Sequence, residues 1–201
     1  MKLYYAKGAC SLAVRIIIHE IGLKCEFVAV NLGTKQTEHG DDFLKINPKG
    51  SVPVLVTDNN EVLTENAVIQ QFLADKHHAV HLLPPPGDFR RYRVLEWLNF
   101  ISSDLHKGCS PLFTSTLPQE VKEKIFIPSI KNKLKLVEEH LNQKKYLMGN
   151  DFTLPDSYLF VILSWMPHLK VDISDCKNLN RYFEELKKRD SVQLSLKEED
   201  K

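Results

Sequence analysis

The stretch Asn47-Pro48-Lys49-Gly50-Ser51-Val52-Pro53-Val54-Leu55-Val56, continued by Val62-Leu63-Thr64-Glu65-Asn66, decides how this chain folds. Pro53 has no N–H and heads the apolar run Val54 to Val56, and a sheet admits proline only at a strand start, an edge or a bulge. A strand therefore begins at Pro53, with the Val52 N–H and C=O left free and facing outward. Asp58-Asn59-Asn60 carries turn chemistry, so Val62 and Leu63 return as the second strand of a hairpin and run into Thr64-Glu65-Asn66. That triplet opens a helix whose apolar positions are Ala67, Val68, Ile69, Phe72 and Leu73. A strand edge thus lies beside a helix N-terminus. The terminus offers unpaired N–H groups and partial positive charge to a carboxylate. An exposed backbone pair at Val52 suits an extended peptide. Together they point to a small peptide with a free carboxylate, Glu65 facing its ammonium group and Asn66 donating from its amide. The plainer alternative is that Thr64 to Asn66 cap a helix and Pro53 starts a strand, and nothing more.

Upstream, Lys2 to Ala6 reads as a short buried strand and Lys7-Gly8-Ala9 as the turn out of it. A helix follows, capped by Ser11, apolar at Leu12, Val14, Ile16, Ile17, Ile18 and Ile21, and ended by Gly22. Cys10 falls at its N-terminus, where the helix dipole and orphan N–H groups lower a thiol's pKa and favour the nucleophilic thiolate. Cys25 to Val30 reads as a second strand, Leu32 to Asp42 as a polar loop exposing Lys35, and Asp42 to Ile46 as a short helix stopped before Pro48. This order builds a small mixed sheet with helices.

Downstream, Leu83-Pro84-Pro85-Pro86-Gly87 is a linker. Beyond it, 89–107, 118–140, 154–165 and 179–189 have helical spacing, and Thr153-Leu154-Pro155-Asp156 has the form of a capping box. A charged, frayed tail is expected from Lys197 to Lys201. The fold class is an α/β N-terminal domain over 1–81, a linker over 82–88 and an all-α domain over 89–201.

With 43% hydrophobic residues among 201, the chain can fill a core, and 27 basic against 26 acidic side chains argue against a nonspecific nucleic-acid surface. No apolar run of membrane-spanning length and no signal-peptide pattern occurs, which predicts a cytoplasmic protein without membrane partners. Cys10, Cys25, Cys109 and Cys176 make no C-x-x-C pair, so neither a zinc site nor a dithiol motif is expected. His77, His78 and His81 have no carboxylate or cysteine at ligand spacing and are expected to be solvated. Cys25, Cys109 and Cys176 are read as packed small residues.

Taken together, the residue-10 helix start, the Val-Pro before a strand, Glu65 with a polar neighbour, the proline linker and the helical half resemble the glutathione transferase family. The likeness spans the chain, including Gly149-Asn150-Asp151-Phe152-Thr153-Leu154-Pro155-Asp156. Ala9-Cys10-Ser11-Leu12 and Asn99-Phe100-Ile101-Ser102-Ser103-Asp104-Leu105-His106-Lys107 are most similar to the bacterial beta class. The resemblance implies a thioredoxin-like first domain with Val52-Pro53 as the cis-proline element. It also implies a homodimer, with glutathione as co-substrate between the domains and no further cofactor or metal. Cys10 then lies against the glutathione sulfur, Val52 with Pro53 pairs its cysteinyl backbone, Glu65 and Asn66 hold its γ-glutamyl end, and Lys35 meets its glycyl carboxylate. Asn99, Ser103, His106 and Lys107 contribute from the helical domain. Asn66 departs from the serine usual after the glutamate, and its larger amide shifts that contact.

Catalysis there requires glutathione as thiolate, an anion favoured by the helix N-terminus, Ser11, His106 and Lys107; Cys10, Ser11 and His106 are the expected catalytic residues. Cys10 can also form a mixed disulfide with glutathione that a second glutathione resolves. The electrophile pocket would be lined by Tyr5, Lys107, Leu112, Phe113 and Trp165, although Trp97, Phe100 and Trp165 also fit a core. The expected function is detoxifying conjugation of glutathione to hydrophobic electrophiles, with thiol–disulfide exchange through Cys10. An isomerase or dehalogenase using Cys10, Ser11 and Arg15 is a related alternative, and a non-catalytic binding or regulatory protein the alternative from another class.

Overall fold

The computed structural model describes residues 1–200. From the N-terminus it forms β1 (Lys2–Tyr5), α1 (Ser11–Ile21), β2 (Glu26–Asn31), β3 (Gln36–Thr37), a 3-10 turn at Phe43–Lys45, β4 (Val54–Val56), β5 (Val62–Thr64) and α2 (Asn66–Lys76). The strands make one mixed sheet in the order β3-β2-β1-β4-β5. β1 and β2 run parallel across the α1 crossover, with Tyr4 beside Val28, whereas β4 lies antiparallel to both β1 and β5. The hairpin pairs Val54 with Thr64 and Val56 with Val62. The Val52–Pro53 peptide is cis.

Strand alternation sorts this unit's core. Tyr4, Val28, Val30 and Val54 gather around Phe43 and Val52 on one face of the sheet. Leu3 and its cross-strand partner Leu55 point to the other face and are fully buried. Each such side chain contributes about 1.5–3 kcal/mol by leaving water. α1 buries Leu12 through Ile18 and ends at Gly22, whose φ of +77° is the left-handed conformation that glycine adopts without cost.

The polar loop expected over 32–42 holds a short strand. Asn31 Oδ1 accepts from the N–H of Gly33 and of Thr34 at 2.9 and 3.1 Å, closing a turn that folds Gln36–Thr37 back onto Asn31 and Val30. The short helix expected at 42–46 is the 3-10 turn, with Asp42 accepting from Leu44 N–H at 3.0 Å.

The second unit runs from His81 to Lys188. It contains α3 (Phe89–Phe100), a π-helical turn at Ile101–His106, α4 (Lys107–Phe113), α5 (Gln119–Val121), a second π-helical turn at Lys122–Phe126, α6 (Ile127–His140), α7 (Leu154–Ser164) and α8 (Lys177–Lys187). α7 is the buried centre, with every residue from Leu154 to Leu163 inside. Its capping box forms as expected, and Asp156 goes further. Fully buried, it accepts from Leu147 N–H (3.0 Å), Thr153 N–H (2.8 Å), Thr153 Oγ1 (2.9 Å) and the Tyr182 hydroxyl (2.7 Å). Burial raises its pKa while those four donors pull it back.

Two expectations about the C-terminus are corrected. The chain from Arg189 onward groups with the first unit rather than with the helical one. In place of a frayed tail over 197–200, α9 (Asp190–Glu199) packs against α1, held at its start by Arg189 and Ser191, both bonded to Glu20, while Lys201, also expected in that tail, lies outside the described residues.

Candidate active site

In the first unit the site residues meet at Cys10. Cys10 rather than Ser11 is the cap position of α1, and its side chain caps nothing. Its Sγ donates instead to the Val52 carbonyl at 3.4 Å, so the Val52 C=O is engaged and not left free as expected. Val52 still stands outside the β4 ladder, whose pairing begins at Val54.

The thiolate expected at Cys10 is also corrected. Only 8% of the residue is exposed, and burial pushes the thiol up to about 11, outweighing the hydrogen bonds from Asn66 and the backbone that pull it down. Desolvation wins over the helix terminus, leaving a neutral S–H donor at neutral pH.

Ser11 is fully buried, and its hydroxyl is spent locally: it accepts from Ala6 N–H at 3.2 Å and donates to Ala6 C=O at 3.3 Å. It pins the turn between β1 and α1, and the catalytic part expected of it would draw the hydroxyl away from these bonds. Asn66 is 5% exposed, with its amide already committed. Its Nδ2 donates to Cys10 C=O at 2.6 Å, and its Oδ1 accepts from Gln70 Nε2 at 2.5 Å. The residue expected to reach a γ-glutamyl group instead ties the start of α2 to Cys10.

Glu65 holds the start of α2 with φ +73° and gives no side-chain cap, leaving the first-turn N–H groups without a side-chain acceptor. Its exposed carboxylate lies 2.7 Å from Lys49 Nζ, which also donates to Thr64 Oγ1 at 3.1 Å. Lys49 is a neighbour that the sequence reading missed. The hairpin register was the available signal, because pairing Val54 with Thr64 sets Glu65 against the segment before β4. Lys35 Nζ donates to Gly50 C=O at 2.7 Å. Tyr5 lies against Arg15, whose guanidinium is 4.0 Å from the ring centre.

In the second unit the π-helical turn Ile101–His106 displays the predicted residues. Ser103 and Lys107 are exposed, His106 is half-buried, and Asn99 is exposed one turn earlier. A π turn widens the helix and is frequent at functional positions. Ser103 Oγ lies 2.9 Å from Asn99 C=O and 2.8 Å from Asp104 Oδ2, two acceptors between which its one proton is shared. His106 Nδ1 and the buried Tyr158 hydroxyl are 2.6 Å apart, and Trp165 lies 5.1 Å from the imidazole centre. Phe113 meets Trp165 edge-on at 5.3 Å and stacks with His168 at 6.0 Å, while Leu112 is buried. Phe113 and Trp165, expected together, do come together. Tyr158 and His168 were not anticipated, since the former sits in a helix whose apolar run hides a polar partner.

Among the described residues no group of His, Cys, Asp and Glu could hold a metal ion, and no helix is long and apolar enough to cross a membrane.

Residues 1–75 match the model of the glutathione S-transferase N-terminal domain and residues 106–190 that of the C-terminal domain. The chain is 39% identical over 199 residues to the glutathione S-transferase GstA of Escherichia coli O157:H7, covering 99% of this chain and 98% of the relative. Its structure superposes on that of a sphingomonad glutathione S-transferase complexed with glutathione, with TM-score 0.95, 38% identity and coverage of 100% and 99%. It also superposes on the bacterial beta class enzyme of Sphingomonas chungbukensis, with TM-score 0.94, 40% identity and coverage of 99% and 98%. Full-length similarity at this level, with the cis proline beside Cys10 and the capping box in place, carries one conclusion: the chain belongs to the beta class of the glutathione S-transferase family and is an enzyme, a glutathione transferase.

Proposed function

We propose that the first unit binds glutathione as co-substrate along the segment before β4, with its sulfur at Cys10, and that the enzyme transfers it to hydrophobic electrophiles. The observation that carries this is the meeting of Cys10 Sγ with Val52 C=O at 3.4 Å, which sets a thiol against the one backbone segment positioned to pair a peptide. Glu65 is the partner for the γ-glutamyl ammonium and Lys35 for the glycyl carboxylate, each giving up a surface contact it makes in the unbound protein. Asn66 serves by holding Cys10. Asn99, Ser103 and His106 are assigned as further glutathione contacts, and Lys107 with Leu112, Phe113, Trp165 and Tyr5 as the electrophile surface.

In conjugation, the neutral Cys10 S–H donates to the glutathione thiolate and lowers the free energy of that anion. In thiol–disulfide exchange Cys10 first loses its proton. Its thiolate then attacks the glutathione sulfur of a mixed disulfide, forming Cys10–S–S–glutathione and expelling the other thiolate. A second glutathione thiolate breaks that bond, giving oxidised glutathione and regenerating Cys10. With the thiol held near 11, conjugation is the more accessible of the two at neutral pH.

We further assign the chain to a cytoplasmic homodimer acting in detoxification. The exposed aromatic pair Phe89 and Tyr92 on α3, 6.2 Å apart, supports a dimer surface. Light scattering of the purified protein tests it: a monomer at micromolar concentration ends that assignment.

The primary test is calorimetric titration of the reduced protein with glutathione. Sub-millimolar to millimolar binding is expected, weakened about ten- to a hundredfold by Glu65→Ala, the range of a lost charge-assisted hydrogen bond. Absence of binding, or full affinity in Glu65→Ala, overturns the site.

A further inference from the structure

The last helix returns to the turn that carries Cys10. The last three described residues, Glu198 to Asp200, are acidic, and each meets a different group of the β1–α1 region. Glu198 Oε2 lies 2.9 Å from His19 Nε2 and 3.9 Å from Arg15 Nη1. Glu199 Oε2 accepts from Gly8 N–H at 2.9 Å, and Asp200 Oδ1 lies 3.0 Å from Lys7 Nζ. The last pair is in solvent and contributes little. Glu199 is different, because only 7% of it is exposed.

A carboxylate so buried is costly unless it is hydrogen-bonded. Among the described residues Glu199 has one such bond, to Gly8, and its Oε1 has no partner. Close enough to be felt electrostatically is Arg15, 1% exposed, its guanidinium held between the rings of Tyr5 at 4.0 Å and Phe27 at 4.1 Å. Arg15 Nε and Nη2 are likewise buried, with no partner among the described residues. Anchoring α9 does not require this arrangement, since Glu20 already holds the other end of the helix through Arg189 and Ser191. Glu199 reaches Gly8, at φ +69°, two residues before Cys10 and two after Ala6, which Ser11 pins.

We propose that Glu199 is a positioning residue for Cys10: buried and bonded to Gly8 N–H, it fixes the Lys7-Gly8-Ala9 turn and so sets how deeply the Cys10 thiol is withdrawn. The end of α9 thereby controls the reactivity of a residue at the start of α1.

The test is the rate of Cys10 alkylation by iodoacetamide, resolved by peptide mass spectrometry with Cys25 as internal reference, at a temperature where every variant is folded. Glutathione takes no part, so the outcome is independent of the titration above. Glu199→Ala is expected to raise the Cys10 rate about tenfold, the scale of one lost hydrogen bond. Glu199→Gln keeps an oxygen that accepts from Gly8 N–H, and stays within about threefold of wild type on the same scale. Ser191→Ala loosens the opposite end of α9 and leaves the Cys10 rate unchanged while lowering the Tm. If Glu199→Ala does not fold, Glu199→Asp, one methylene too short to reach Gly8, takes its place with the same expected rise. An unchanged Cys10 rate in the variant used, or an equal rise in Ser191→Ala, overturns the proposal.

Discussion

Each unit buries a carboxylate deep in its helices, and the two are satisfied very differently. Asp156 meets four donors and has an N-cap, a loop and a tyrosine from α8 converging on it. Among the described residues Glu199 meets one donor and leaves an oxygen unpartnered, as the arginine nearby leaves two of its nitrogens. A fully satisfied buried charge specifies one local structure, and losing it strands several partners at once. A half-satisfied one fixes less and sits where the backbone must carry chemistry. The difference separates a carboxylate that makes the fold from one that tunes a site.

Asp156→Ala should show the largest effect. It leaves Leu147 N–H, Thr153 N–H and the Tyr182 hydroxyl buried without their acceptor, and urea unfolding should show a loss of about 3–5 kcal/mol. A loss near that of Glu199→Ala would erase the distinction between the two. Glu199→Ala, breaking one bond to a buried carboxylate, should cost about 1–2 kcal/mol in the same experiment.

The pH dependence of Cys10 sharpens the picture on the side of the site. Its folded pKa, about 11, lies above the ordinary value of 9.0. Two units mean about a hundredfold less thiolate at neutral pH than in an ordinary thiol. Alkylation should therefore climb through pH 9 to 11 rather than level off near 9. The sign for stability follows: protonated Cys10 contributes stability that is fully present below the unfolded value and is lost as pH rises through the folded one. Cys10→Ala should flatten this part of the alkaline stability profile, and a profile identical to wild type would show that the thiol is not buried as described.

The smallest effect belongs to a third carboxylate, Glu65, exposed and paired with Lys49. Because a surface pair is worth about 0.2–1 kcal/mol, Lys49→Gln should tighten glutathione binding about two- to threefold at low salt, with the gain fading as salt rises. A weaker Kd instead would mean that Lys49 itself contacts the ligand.

Much of this was legible in the sequence because its signals are local. Pro53 marked a strand start, Asp58 to Asn60 a hairpin, Gly22 a helix end, and Thr153 with Asp156 a capping box, each written within a few residues. α9 escaped because its buried positions include Ser191, Ser195 and Glu199, so no apolar stripe announces it. β3 is two residues long and depends on a turn made by the Asn31 side chain. For Cys10 the helix terminus was visible, but the depth of burial was not, and burial decides the protonation state. Asn66 read as a donor to a ligand because its own partner, the Cys10 carbonyl, is 56 residues away.

The wide turn at Ile101–His106 uncouples chain length from architecture. A π turn accommodates one residue more than an α-helical turn in the same rise, whereas removing a residue from an ordinary helix rotates everything after it by about 100°. Here a single deletion can be absorbed by closing the turn to regular α-helix, so that Lys107–Phe113 keeps its orientation and only the display of Ser103 and His106 is lost. This segment is thus a point where a gap in the sequence would retire the chemistry and spare the scaffold.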